Sequence, residues 1–250
     1  MKKTIKNFIN KSVNASLLRM YERGEENWAK PFSKLSKYLC CFFSPTWMIA
    51  RISNRTLSRV ERTQAIIARN YFYLTCSIFL LALVGGILPA GFLGKLEVGD
   101  FYVAAITILL WCVPFSRCNE IFCAFISDAL DKTSGKTKNS DLTYRKRIEL
   151  SFLSYLELII NYAILYYLMP LSWFGDDKSA HFSNVIDALY FSGVTITTLG
   201  YGDFSPVNAI PQLLVVQQVL VGFTLIVVSF AIYAGKGLSI DNAKSSESET

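Results

Sequence analysis

Six consecutive residues near position 200 have the types and spacing to bind a cation that has lost its water shell. They read Thr198-Leu199-Gly200-Tyr201-Gly202-Asp203. Such a site needs successive carbonyl oxygens that point the same way, and therefore a backbone that alternates between ordinary and left-handed dihedral angles. Glycine adopts left-handed angles at little steric cost, and Gly200 and Gly202 lie at alternate positions. Thr198 adds a hydroxyl at the inner end, and Tyr201 is expected to pack behind the ion path.

The segment before these residues is apolar but too short to cross a membrane. Residues 185–196 would form about 18 Å of helix, whereas the hydrocarbon core is about 30 Å thick. Ser183 or Asn184 can cap its start. We therefore predict a re-entrant helix whose C-terminal end, the negative end of its dipole, lies close to the bound cation. The irregular loop after it must be buried in protein or line a water-filled path.

Longer apolar runs predict four membrane-spanning helices. The chain has 250 residues, of which 52% are hydrophobic and 18% charged, too apolar a composition for an ordinary soluble domain. Spans of about 20 residues are expected, and the apolar runs cover residues 71–94, 101–116, 150–175 and 204–235. The predicted fold is an all-α multi-pass membrane protein, with four transmembrane helices per subunit plus the re-entrant helix and its loop.

The loop resembles the filter of a known family. Together with Thr197, residues 198–203 are similar to the signature sequence of the tetrameric potassium channels, whose filter consists of four loops of the Thr-Val-Gly-Tyr-Gly type. The similarity covers the helix–pore-loop–helix unit at residues 150–235, about a third of the chain. It implies a homotetramer that conducts K+ passively, with K+ as the permeant ion and no cofactor.

The resemblance also implies a role for each residue of the loop. K+ would be bound by the carbonyl oxygens of four residues, Thr198, Leu199, Gly200 and Tyr201. Thr198 would add its side-chain oxygen, and Gly202 would permit the turn at the outer mouth. Asp203 would form an outer acidic ring that attracts cations.

Four positions depart from the family pattern. Leu199 replaces the usual valine, and its γ-branched side chain stiffens the backbone less. Tyr190 and Phe191 stand where many relatives have two tryptophans. Tyr190 is expected to reach Asp203, whereas Phe191 cannot donate a hydrogen bond. Val194 replaces a glutamate of some bacterial relatives, which predicts a different slow-inactivation behaviour.

The last apolar run carries the candidate gating residues. Pro211 suits a first helical turn. Gly222 lies 20 residues beyond Gly202, where family members carry a hinge glycine. The alternative is that Gly222 permits close helix packing, as small residues commonly do in membranes. Three residues at helical spacing would line the cavity or face lipid: Phe223, Ile226 and Phe230.

The distribution of basic residues predicts the orientation. The first 70 residues hold 14 of the 25 Lys and Arg residues, and basic segments remain in the cytosol. The predicted organisation is a basic cytosolic region (1–70), two additional transmembrane helices (71–117), a cytosolic loop (118–148), the channel pore domain (149–235) and a disordered cytosolic tail (236–250). Both termini would be cytosolic, with the protein in the cell or plasma membrane. The net charge of +6 reflects this topology and predicts no nucleic-acid partner.

A basic stripe precedes the first apolar run. Four arginines are spaced along one helical face, Arg51, Arg55, Arg59 and Arg62. Polar residues between them exclude a spanning voltage sensor. We expect a helix on the inner membrane surface that attracts anionic lipid; anchoring through positive charge alone is the alternative.

Two titratable residues have competing interpretations. Glu157 and Asn161 share a face within the third span, where a carboxylate is a functional candidate by default. Pairing of Glu157 with Arg145 or Arg147 is the favoured structural interpretation. His181 lies near the expected pore mouth, where it would sense external pH or be an uninvolved loop residue.

Two other function classes are alternatives to a channel. A potassium transporter of related families carries four pore-loop repeats with degraded filters, whereas this chain has one repeat and an intact motif. A regulatory membrane protein that assembles with other pore subunits is the second alternative. The sequence shows no phosphate-binding glycine loop, no metal-ligand cluster and no nucleophile with a base, so no enzyme is predicted. The gating stimulus and the role of the first two spans stay open.

Overall fold

The computed structural model describes residues 44–53, 57–95, 101–133, 140–175, 182–229 and 235. The predicted cytosolic region up to residue 43, the tail from residue 236, His181, Arg55 and Phe230 lie outside the described residues. Their predicted roles stay predictions.

The described residues form α-helices and contain no β-strand, which confirms the all-α prediction for this part of the chain. The helices are α1 (Pro45–Ser53), α2 (Arg59–Ile87), α3 (Phe101–Thr133), α4 (Tyr144–Leu168), α5 (Val185–Ile196) and α6 (Ala209–Phe223). A π-helical segment, Thr224–Ser229, continues α6. One isolated antiparallel bridge joins Phe174 after α4 to Pro206 after the glycine-spaced loop.

In the part of the chain that the structure describes, four helices are long and apolar enough to cross a membrane, which confirms the predicted number of spans. The candidate spans are Arg59–Ile87, Ile108–Asp128, Tyr144–Leu168 and Ala209–Ile226. The first span, α2, begins before the apolar run at residues 71–94 because Ser58 and Glu61 form a capping box. The third span, α4, ends at Leu168, just before Pro170, since the residue preceding a proline disfavours helical angles.

The predicted short helix has the bounds that the sequence indicated. α5 covers Val185–Ile196 and begins at Asn184, whose Oδ1 accepts hydrogen bonds from the backbone N–H groups of Ile186 (2.8 Å) and Asp187 (3.1 Å). The Asp187 carboxylate accepts in return from the Asn184 N–H at 3.2 Å. α5 packs between α4 and α6, so its sides are largely buried.

The prediction of one basic helix at residues 51–62 is wrong. α1 ends at Ser53, and the capping box at Ser58 starts a separate helix at Arg59, so Arg51 and Arg59 lie on different helices. α1 instead docks on α3. Ser44 donates a hydrogen bond to the Ser116 carbonyl oxygen at 2.9 Å, and the hydroxyls of Thr46 and Ser116 share another at 2.9 Å.

The first two spans pack against the pore unit of the same chain. α2 contacts α4 along its length and the start of α5 near its own C-terminal end. A β-carbon on Gly85 of α2 would lie 2.6 Å from Cγ1 of Val185, so the absence of a side chain permits this approach. α3 contacts α1, α4 and the π-helical segment after α6.

Candidate functional site

The loop after α5 has the alternating backbone that cation binding by carbonyl groups requires. The φ angles of Thr198, Gly200 and Gly202 are +60°, +57° and +80°. The left-handed angles at the two glycines confirm the expectation from their spacing. The positive φ of Thr198 was not predicted, because a β-branched residue rarely adopts positive φ and does so mainly where surrounding structure enforces it. The signal available in the sequence was the position of Thr198 two residues before Gly200, which continues the alternation of Gly200 and Gly202.

Hydrogen bonds attach the start of this loop to the last turn of α5. The N–H of Thr198 donates to the Thr195 carbonyl oxygen at 3.0 Å, and the N–H of Leu199 donates to that of Val194 at 3.0 Å. The Thr197 hydroxyl donates to the Gly193 carbonyl oxygen at 2.7 Å. Carbonyl groups at a helix end otherwise lack partners. The position of α5 therefore determines the position of the first loop residues.

Tyr190 on α5 connects the helix to the outer half of the loop. Its ring lies nearly parallel to the Tyr201 ring, with centroids 6.4 Å apart and an interplanar angle of 8°. Its hydroxyl lies close to the Asp203 carboxylate, where the sequence predicts a hydrogen bond. Oδ1 of Asp203 also accepts from the Phe204 N–H at 3.1 Å. Tyr190 thus supports both the ring and the carboxylate expected at the outer mouth.

Phe191, the second residue that replaces a tryptophan, contributes packing behind the loop. Its ring centroid lies 4.9 Å from that of Tyr166 and 5.8 Å from those of Phe174 and Phe182. These edge-to-face and tilted contacts form an apolar wall between α4 and α5.

A second support is a set of hydrogen bonds that sequence reasoning missed. The Tyr166 hydroxyl donates to Oε1 of Gln218 at 2.8 Å. Nε2 of Gln218 donates to the carbonyl oxygen and the hydroxyl of Ser192, at 2.9 and 2.8 Å. The Ser192 hydroxyl donates to the Ile159 carbonyl oxygen at 2.8 Å. We call these residues the amide cluster. The available signal was Gln217-Gln218, a polar pair in an otherwise apolar span, because polar side chains hydrogen-bond across membrane helices.

The structure favours the packing interpretation of Gly222. A β-carbon there would lie 2.6 Å from Cγ1 of Ile196, the last residue of α5. The hinge role stays a prediction, and the π-helical segment that begins at Thr224 is a second irregular place in the same helix. Phe223 and Ile226 are 56% and 39% exposed on the single subunit, and their cavity-lining role stays a prediction.

The sequence predicts that Glu157 pairs with an arginine of its own helix, but its partner lies on α3. Nε and Nη2 of Arg117 on α3 donate to its two carboxylate oxygens at 2.7 and 3.0 Å. The prediction of Arg145 or Arg147 is wrong, because α3 lies against α4 at this depth. Arg147 lies 2.7 Å from Asp128 instead.

Arg117 is the centre of a larger buried group, which we call the charge cluster. Its Nη1 lies 3.0 Å from Oε1 of Glu120, and Nε of Arg69 on α2 lies 3.5 Å from the same oxygen. Nη2 of Arg117 also donates to Oδ1 of Asn70 at 3.3 Å. Two arginines and two glutamates balance in formal charge, as buried ions in a membrane must. Within the described residues, no group of His, Cys, Asp or Glu could hold a metal ion.

Comparisons with known proteins agree with this geometry. Residues 154–236, which contain most of α4, α5, the loop and α6, match the family model described as ion channel. The chain is 38% identical to two-pore potassium channel 3 of Arabidopsis thaliana over 66 residues, which cover 24% of this chain and 15% of that protein. No solved structure matches the chain significantly.

The fold and the loop therefore define an integral membrane protein with an ion channel pore domain. The resemblance noted in the sequence is supported by both matches: residues 154–236 are similar to the ion channel family, and a 66-residue stretch is similar to a potassium channel of Arabidopsis thaliana.

Proposed function

We propose that this chain is one subunit of a passive, potassium-selective ion channel. The observation that carries the proposal is the left-handed backbone at alternate residues Thr198, Gly200 and Gly202, directly after a short apolar helix. Four such loops around one axis would surround K+ with rings of carbonyl oxygens from residues 198–201, which replace its hydration shell. The transport is conduction down a gradient, without chemistry.

The flanking residues serve the same function. The C-terminal end of α5 carries the partial negative charge of the helix dipole and stabilises a cation in the membrane. Asp203, next to the outer end of the loop, adds a carboxylate that attracts cations from solution. We propose that Tyr190, whose hydroxyl lies close to that carboxylate, helps to position it.

The functional assembly is a homotetramer. The pore-loop side chains of Leu199 and Tyr201 are 60% and 67% exposed on the single subunit, which leaves them available to neighbouring subunits. Mass measurement of the purified protein should give four copies. A conducting monomer or dimer would contradict the assembly.

We further propose a location in the plasma membrane with both termini in the cytosol. α1 exposes Met48, Ile49 and Ile52, and Arg59 opens α2 a few residues later. Apolar and basic groups in one region suit the surface of a membrane that contains anionic lipid. Protection of tags at both termini from protease added outside intact cells supports the proposed orientation; cleavage of either tag contradicts it.

The test of conduction compares two glycine variants in liposomes. Gly202→Ala places an L-residue in a left-handed conformation, at about 1–2 kcal/mol per subunit, and is expected to abolish K+ flux or its selectivity. Gly86→Ala is the control, since a β-carbon there meets no atom within 4 Å. Selective flux by the Gly202 variant equal to that of Gly86→Ala would overturn the filter assignment.

A further inference from the structure

Two contacts, one helical turn apart, attach α6, the inner helix of the pore unit, to α5, the pore helix. On α6, Gln218 and Gly222 are four residues apart and face the same way. On α5, their partners Ser192 and Ile196 are also four residues apart. Gln218 contacts Ser192 through two hydrogen bonds, and Gly222 permits close approach to Ile196. The two helices therefore meet in one register along the last turn of α5.

The contact at Gln218 joins α4, α5 and α6 through one amide group. Gln218 is completely buried, with 0% of its surface exposed. Its oxygen accepts from Tyr166 of α4, and its nitrogen donates to Ser192 of α5. The Ser192 hydroxyl continues to the Ile159 carbonyl oxygen of α4. Both ends of the amide are satisfied, which is the condition for a polar group inside a membrane.

We infer that Gln218 is a positioning residue for ion selectivity. This inference rests on the proposed function and adds a residue that does not touch the ion. Thr198 and Leu199 hydrogen-bond to the carbonyl oxygens of Thr195 and Val194, so a movement of the last turn of α5 moves the first carbonyl groups of the loop. Binding sites tolerate displacements of only about 0.5 Å. Gln218 fixes that turn relative to α4 and α6.

An amide suits this place better than an apolar side chain. Leucine has a comparable volume and would leave the Tyr166 hydroxyl without the acceptor that Gln218 provides. It would also remove both hydrogen bonds from Gln218 to Ser192. Helix packing alone would retain the general arrangement, but the register of α5 would no longer be specified by directional bonds.

The test compares neighbouring glutamines in the purified full-length protein in planar bilayers. Gln218→Leu removes all three hydrogen bonds of this side chain and is expected to lower the K+/Na+ permeability ratio by at least about tenfold, the equilibrium equivalent of one buried hydrogen bond. Gln217→Leu is the matched control. Gln217 bonds to Asn119 of α3 at 2.9 Å and not to the pore helix, so its loss should leave the ratio unchanged.

Each outcome has one meaning once the wild type has been measured. If the wild type shows no K+ selectivity, the proposed function fails and this inference fails with it. If the wild type is selective and tetrameric Gln218→Leu keeps its ratio, only the inference is overturned. Should Gln218→Leu fail to assemble, Tyr166→Phe replaces it, because it keeps the bonds to Ser192 and removes only one bond. A reduced ratio in Tyr166→Phe supports the inference, and an unchanged ratio overturns it.

Discussion

The charge cluster and the amide cluster satisfy buried polar groups in the same subunit in different ways. Arg117 joins α3 to α4 through its ion pair with Glu157 and reaches α2 through Asn70. Gln218 joins α4, α5 and α6 through neutral hydrogen bonds. A buried ion pair becomes costly when one partner is lost, whereas the loss of one neutral hydrogen bond costs about 1 kcal/mol. The two clusters should therefore contribute differently: the charge cluster anchors α2, α3 and α4, whereas the neutral bonds of Gln218 fix how α5 meets its neighbours.

The largest expected effect comes from the charge cluster. Arg117→Met leaves the Glu157 carboxylate buried without its cation and should lower the free energy of unfolding by about 3–5 kcal/mol. Chemical unfolding of the purified protein in detergent measures this. Lys146→Met is the control, because the side chains of the Lys146–Glu149 pair are 28% and 47% exposed to solvent, and the loss of such a pair should change stability little.

A double variant sharpens the same prediction. Arg117→Met combined with Glu157→Leu removes both charges of the pair and should be more stable than Arg117→Met alone. If the single variant is as stable as the wild type, the charge cluster does not anchor these helices. If the double variant recovers nothing, the loss comes from packing and not from charge.

An intermediate effect on stability is expected at the contact between Gly222 and Ile196, one helical turn after Gln218. Gly222→Ala forces a β-carbon to 2.6 Å from Cγ1 of Ile196 and should cost about 1–3 kcal/mol per subunit through overpacking. Adding Ile196→Ala, which removes that carbon, should restore tetramer yield. Gly86→Ala, a helical glycine with open space, should be neutral or slightly stabilising.

The same variant separates the two interpretations of Gly222. Under the hinge hypothesis, the tetramer would assemble normally and open less often, and Ile196→Ala would not rescue it. Single-channel recording of assembled Gly222→Ala measures the open probability. Normal assembly with an unchanged open probability would contradict both interpretations.

The smallest expected effect on stability comes from the amide cluster itself. Tyr166→Phe removes one neutral hydrogen bond and should lower the free energy of unfolding by about 1 kcal/mol. Compared with Arg117→Met by chemical unfolding in the same detergent, it tests whether the two clusters differ as described. A loss as large as that of Arg117→Met would show that the amide cluster also anchors the fold.

The sequence predicted the elements whose signals are local. α5 was predicted correctly because a capping residue, an apolar run and a glycine-spaced loop follow one another within about 20 residues. The left-handed angles of Gly200 and Gly202 follow from their spacing. The positive φ of Thr198 was missed because only the surrounding structure overrides its steric preference.

Partners across helices could not be predicted in the same way. A buried Glu157 requires a cation, but the sequence does not say which helix faces it, and the nearest arginines along α4 were preferred to Arg117. Gln218 was missed for the same reason, since its partners lie on two other helices. The arginine spacing predicts one helix through the basic stripe, whereas the capping box at Ser58 starts a new helix at Arg59.

The central claim, that residues 198–202 form a potassium filter, is tested most directly by the reversal potential of the wild-type protein. Purified protein in a planar bilayer, with KCl on one side and NaCl of equal concentration on the other, should give a reversal potential displaced strongly in the direction of K+ selectivity. Addition of K+ to the NaCl side should move it toward zero. A reversal potential near zero under the initial condition would mean that the pore does not distinguish the two ions, and would contradict the account.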